Sequence, residues 1–266
     1  MKKLVLSALL LSSFGLTAQI TDNKLITDRP DQTESPNTVA KGSIQIESGL
    51  LFERSEIVRG FSQHRNVYPT NLFRIGIAKK LELRVLNEVV TYKTVNNRTQ
   101  EESGSVSGTE NLQVGLKYQI TDDDAKVVVG LLAYGRIPTG SRGISNELFG
   151  VVSKLSLAYN LSDNKSLSAN VGYNNLNLDF NNEGLVRYGE GNLTYTFVYG
   201  VSLSDRVGLY VETFGDYVEF EDFESNMDAG MTYLISDNIQ LDYSYGWGLN
   251  RVMNYHSVGI SVRLPR

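Results

Sequence analysis

Residues 191–203 read GNLTYTFVYGVSL. Leu193, Tyr195, Phe197, Tyr199, Val201 and Leu203 share one parity, and Asn192, Thr194, Thr196 and Gly200 the other. Successive side chains of a strand point to opposite faces, so this stretch is a strand with one apolar and one polar face. It is also long. Strands of soluble domains usually run about 5–6 residues, whereas a tilted strand needs roughly 9–11 to cross a bilayer.

The same pattern recurs on either side. Upstream it marks strands at about 43–53, 71–79, 81–89, 110–120, 126–137, 147–161 and 166–176; downstream, at 207–216, 227–235, 239–249 and 255–264. The stretch 126–137 is the least regular, because Val128 and Leu132 fall on its polar side. Tight turns at 79–80, 121–125, 162–165, 204–206 and 236–238 alternate with longer polar links at 54–70, 93–109, 138–146, 177–190 and 217–226, and a short one at 250–254. Short turns on one side and longer loops on the other are the habit of outer-membrane barrels. The pattern predicts an all-β fold: a transmembrane, antiparallel, up-and-down β-barrel of about 12 strands, over residues 42–266.

A secreted sandwich or a soluble barrel would show the same alternation with the apolar face turned inward. Against it, the glycines fall mostly on the polar face, where a crowded lumen needs small residues and a wet surface does not. Tyr118, Tyr159 and Tyr233 stand on the apolar face toward the short turns, and Tyr173 and Trp247 toward the long loops, as two interfacial belts would.

The first residues are an address. Lys2 and Lys3 precede an apolar run over Leu4–Leu16, and Thr17-Ala18-Gln19 offers a cleavage site after Ala18. The run is too short to span a bilayer of roughly 30 Å as a helix. Residues 1–18 are therefore read as a signal peptide and 19–41, polar and acidic, as a periplasmic or plug segment. The expected location is the cell outer membrane of a Gram-negative bacterium. Expected partners are outer-membrane lipid and lipopolysaccharide, the barrel-assembly machinery and a small-molecule solute.

The chain carries a net charge of −5, which becomes −7 once residues 1–18 are removed (23 basic, 30 acidic). It has no basic run, which excludes a nucleic-acid binder. With no cysteine there is no disulfide or thiolate site. The two histidines, His64 and His256, lie far apart in sequence and make no metal cluster. His256 and Ser257 are adjacent, so their side chains point to opposite faces and cannot act as a pair. The acidic groups at 122–124 and 219–224 have no spaced ligand pattern and read as a turn and a solvated loop. No enzyme, metal or cofactor is expected.

The polar face is the candidate site. It carries Glu47, Arg74, Glu82, Arg84, Glu88 and Lys117 in the first half of the barrel. Arg136, Lys154, Glu212, Asp228, Asp242 and Arg263 follow in the second. Isolated charges in a narrow lumen are costly, so these must pair or stay wet. They could line a channel or fill a closed barrel. Residues 19–41 could be a plug, with Asp28, Arg29, Asp31 and Glu34 as contacts and Arg29 reaching a lumenal carboxylate. They could equally be a disordered lead.

Five short motifs keep a characteristic order. They are Thr27-Asp28-Arg29-Pro30-Asp31, Leu81-Glu82-Leu83-Arg84, Val114-Gly115-Leu116-Lys117-Tyr118, Ile137-Pro138-Thr139-Gly140 and Gly259-Ile260-Ser261-Val262-Arg263. In these the chain resembles the outer-membrane transporters grouped as "MetA-pathway of phenol degradation", over nearly all of its length after the signal. The resemblance implies passive passage of small, aromatic or hydrophobic solutes. The alternative reading is a structural or adhesive barrel with a closed lumen, acting through its outside loops.

Overall fold

A computed structural model describes residues 25–145, 148–181, 184–187 and 191–264. The expected signal peptide lies outside the described residues. Among the described residues fourteen strands follow one another: β1 (Ile44–Val58), β2 (Phe61–Ala78), β3 (Leu81–Asn96), β4 (Glu102–Thr109), β5 (Leu112–Gln119), β6 (Val127–Ile137), β7 (Phe149–Ser162), β8 (Lys165–Asn181), β9 (Gly184–Arg187), β10 (Asn192–Ser202), β11 (Val207–Val218), β12 (Asp222–Ser236), β13 (Ile239–Gly248) and β14 (Met253–Leu264).

Twelve of them form a ring in which every neighbour is antiparallel, and β14 closes it on β1 from Ile44↔Leu264 to Ser55↔Met253. β4 pairs with the outer part of β3, and β9 with the outer part of β8; both stand outside the ring. A closed ring leaves no strand edge unpaired, which is what allows a sheet to sit in lipid.

The two faces are inverted relative to a soluble protein. Leu116, Leu131, Phe197 and Val258 face outward and are 42–48% exposed. Their lumenal counterparts Glu82, Arg84, Lys117 and Asp228 are at most 1% exposed. The apolar face is thus the lipid face, and the sandwich alternative falls. The chain is an outer-membrane β-barrel.

Several strands outrun their sequence signal. Residues 54–70, read as a long link, are strand on both sides of a tight turn at Arg59-Gly60, where Gly60 takes φ 89°. Ladder pairs such as Arg54↔His64 continue beyond the apolar belt. There both faces meet water, so no alternation remains to be read. The ladder also skips Tyr68 and Pro69. Pro has no N–H to give it, and the bulge moves the inward parity from Arg74 and Gly76 to Val67. Irregular 126–137 has a packing cause: Val128 and Leu132 do point inward, and Leu132, Tyr134 and Val152 form a small apolar cluster inside the barrel.

Candidate functional site

Residues 25–43 have no regular secondary structure. They hydrogen-bond to inward side chains of β1, β2, β3, β5, β6, β7, β8, β10, β11, β13 and β14. A segment that touches a closed ring on all sides lies within it. It returns to the wall where Gly42 N–H donates to the Gly76 carbonyl at 2.7 Å and Ser43 leads into β1.

An irregular peptide at membrane depth must have its backbone groups satisfied by protein. The wall supplies the partners. Glu47 accepts from Asp28 N–H at 2.9 Å, Glu212 from Gln32 N–H at 2.7 Å, Asn170 from Glu34 N–H at 2.7 Å and Glu82 from Val39 N–H at 2.8 Å. Arg74 donates to the Asn37 carbonyl at 2.9 Å and Gln45 to that of Ile26 at 2.9 Å.

Charge complementarity fixes its orientation. Arg74, Arg84, Lys117 and Lys154 crowd the wall made by β2, β3, β5 and β7. Asp28 meets Arg84 at 2.5 Å, Lys117 at 2.9 Å and Arg74 at 3.6 Å. Glu34 meets Arg84 at 2.8 Å and Lys154 at 2.7 Å. Glu82 and Glu47 neutralise Arg74 from the wall itself, at 2.8 and 3.0 Å. Across the lumen the sign reverses: Arg29 pairs with Asp242 at 3.0 Å and donates to Ser257 at 2.9 Å.

Burial opposes ionisation of Asp28, but Arg74, Lys117 and Arg84 outweigh it and hold its carboxyl well below the usual range. Burial also opposes Glu34, and Lys154 and Arg84 bring it down to about 2. Asp31 has no such support. Burial, then the carboxylates of Glu212 and Asp228, push it well up.

Small residues on the wall make room. A Cβ on Gly49 or Gly259 would overlap the Arg29 guanidinium, one on Gly76 the Ala40 carbonyl, and one on Gly130 the backbone of Pro36.

Not every expected lumen residue meets this segment. Glu88 pairs with Arg65 at 2.9 Å farther along the wall. Arg136 faces inward near the end of β6, opposite Gln113 and Gly150. Arg263 binds Asn238 at 2.9 Å and the Asp237 carbonyl at 3.2 Å, so it caps the β12–β13 turn at the rim instead of lining the interior. Sequence reading passed over Tyr134, which donates to Glu34 at 2.7 Å and bonds to Arg84, and Asn170, Gln119 and Tyr255. A tyrosine on a glycine-bearing face, as at Tyr134, was the available signal.

Ser257 points in toward Arg29 while His256 points out and bonds to Tyr243 at 2.8 Å. In the acidic turn, Asp122 pairs with Lys80 at 2.7 Å, and Asp123 accepts from Asn37 at 2.9 Å, tying the turn to the lumenal segment. Of the acidic stretch 219–224, read as a solvated loop, residues 222–224 belong to β12, and Glu224 pairs with Arg251 at 2.6 Å. Among the described residues no group of acidic or histidine side chains is placed to hold a metal ion.

Residues 27–264 match the family described as "MetA-pathway of phenol degradation". The chain belongs to this family. Solved structures similar to the chain show only its fold. An outer-membrane channel of Pseudomonas putida F1 superposes with a TM-score of 0.66 at 12% identity, covering 85% of this chain and 97% of that one. The transport unit of the autotransporter AIDA-I from Escherichia coli superposes at 0.53 and 13% identity, over 84% and 90%. No curated protein sequence matches the chain. The first of these is a channel and the second a transport unit.

Proposed function

We propose that this protein is a passive outer-membrane channel for small solutes, with residues 19–41 as a plug that narrows its lumen. One observation carries the reading: a cleft of about 380 Å³, open at the β7–β8 turn, remains beside Thr27 and residues 29–31, along the wall made by β7, β8 and β10–β13. A barrel built only as a scaffold would have no reason to keep an unfilled polar space next to a segment held by reversible ion pairs. The similar P. putida channel supports the reading by analogy. Its family suggests small aromatic or hydrophobic solutes. In this account the chain is a signal over 1–18, a plug over 19–41 and a barrel from 42 onward. Its apolar belt faces lipid and lipopolysaccharide, and the barrel-assembly machinery inserts it.

The closed-barrel alternative draws on the number of plug contacts, which reach nearly every strand. Conductance of the refolded protein in planar bilayers separates the two. A channel shows a low conductance that rises when residues 25–41 are deleted. No current from either form contradicts the channel reading.

A further inference from the structure

On the outside of the barrel, three basic side chains stand in one row. Arg54 of β1 is the direct cross-strand partner of His64 on β2, and His64 that of Lys93 on β3. Direct partners share a face, and this one is the outward face that carries Phe52. The row lies just beyond the apolar belt, toward the β1–β2 and β3–β4 turns. Neighbouring strands are about 4.8 Å apart, so the row spans about 10 Å. No carboxylate separates its members. Like charges set side by side on a sheet repel, and an anion within reach of all three would relieve them.

The inner face of the same strands is balanced differently. There Arg65 sits between Glu88 at 2.9 Å and Glu53 at 3.9 Å. Outside, Arg54 donates to the Ser62 hydroxyl at 3.3 Å and to the Asn97 side chain at 3.0 Å, both uncharged. Neither Arg54 nor His64 has an ion pair among the described residues. Glu56, the next outward residue on β1, accepts from Gly60 N–H at 3.1 Å instead. Lys93 does pair with Glu102 at 2.9 Å, but the two side chains are 39% and 43% exposed. A pair that open to solvent is weak and exchanges readily.

The surface below the row decides the kind of anion. Phe52 is 48% exposed and Tyr68 44%, and Tyr68 turns its hydroxyl to that of Thr91 at 2.7 Å, which leaves its ring outward. A free phosphate would leave this apolar surface bare. An anion that also covers it carries acyl chains. The outer leaflet of an outer membrane supplies one in lipopolysaccharide, whose lipid A bears phosphates on its sugars above the acyl chains. Basic clusters at the edge of an apolar belt recognise anionic headgroups in this way.

We propose that Arg54, His64 and Lys93 hold a phosphate of lipid A, with its acyl chains against Phe52 and Tyr68. The Arg54 guanidinium offers a fork of N–H donors that suits two phosphate oxygens, and Lys93 exchanges Glu102 for the phosphate. This inference rests on the reading that the outer face meets lipopolysaccharide, not on the channel reading.

Native mass spectrometry of the refolded full chain in non-ionic detergent, titrated with bisphosphorylated lipid A, tests the row. Dephosphorylated lipid A, phosphatidylglycerol and inorganic phosphate are the comparison probes. Lipid A is expected to bind saturably and more tightly than all three. The double variant Arg54→Gln, His64→Gln is expected to weaken its binding about tenfold or more. Arg142→Gln, which removes an exposed cation from another outside loop, is expected to leave it unchanged. If the double variant does not fold, as heat-modifiable mobility would show, Lys93→Gln takes its place and is expected to weaken binding in the same direction. Unchanged affinity in the folded variant, or equal weakening by Arg142→Gln, overturns the row as the site. Equal binding of dephosphorylated lipid A overturns the phosphate contact, and equal binding of phosphatidylglycerol or inorganic phosphate overturns lipopolysaccharide as its source. A wild-type chain that binds no lipid A contradicts the lipopolysaccharide reading itself; binding that persists in the variants overturns this inference alone.

Discussion

Lys117 Nζ donates to both carboxylate oxygens of Asp28, at 3.1 and 2.9 Å, across 89 residues of chain. Both groups are almost fully buried. The pair joins a strand in the middle of the barrel wall to a segment that has no secondary structure of its own, and the placement of that segment depends on such pairs.

Asp28→Asn keeps the shape of this side chain and removes its charge. Breaking one partner of a buried ion pair typically costs about 3–5 kcal/mol, and here Arg84 and Arg74 also lose a neighbour. The barrel should still assemble and keep heat-modifiable gel mobility. Amide exchange of residues 26–40 should accelerate markedly while that of β6 and β13 stays unchanged. Equal exchange in both proteins would show that Asp28 does not hold the segment.

Acid should release the segment. The carboxyls of Asp28 and Glu34 both sit below their ordinary values, Glu34 at about 2. A carboxyl depressed in the docked state contributes stability above its free value and loses it as pH falls through the docked value. Docking is therefore expected to be intact at pH 6 and to weaken between about 4.5 and 2 for Glu34, and lower still for Asp28. Asp31, raised by burial and by Glu212 and Asp228, acts in the opposite sense. Its ionised form opposes docking at high pH, so Asp31→Asn should slow amide exchange of residues 29–33 at alkaline pH. Faster exchange there would contradict the assignment.

Gly76→Ala places a methyl group on the Ala40 carbonyl, which is backbone and cannot swing aside. This substitution should displace residues 38–41 and weaken the Val39–Glu82 hydrogen bond, seen as faster exchange at Val39. Gly104→Ala, with open space around it, is the matched control and should change nothing.

The lipid face should respond to charge by depth. Leu131, outward and 47% exposed near the middle of β6, is expected to cost about 2–4 kcal/mol when changed to Arg. Urea unfolding from lipid vesicles would measure this. A neutral effect would place Leu131 away from the bilayer core.

The barrel was legible wherever one face meets lipid and the other the lumen, as in 191–203. It was not legible where both faces are wet, as along Arg54–Glu56 and 102–109, or where inward residues pack on one another, as Leu132 does on Val152. The charges of the site were legible as a list, from Glu47 to Asp242. Their pairing was not, since it depends on which strands the closed ring sets opposite one another. Arg263, on the same parity as true lumen residues, ends at the rim because its strand stops there. Tyr134 and Asn170 carried no charge to mark them.

The chain has no cysteine, and the Thr33 and Thr196 hydroxyls lie 2.6 Å apart. The double variant Thr33→Cys, Thr196→Cys should therefore form a disulfide that fixes the segment to β10. Single-channel conductance of this variant at pH 6 and pH 3, with and without reductant, tests the central claim most directly. Conductance is expected to rise at pH 3 when the bond is reduced and to stay low when it is intact. Failure of the bond to form, or the same response to acid in both states, would contradict a plug that controls the lumen.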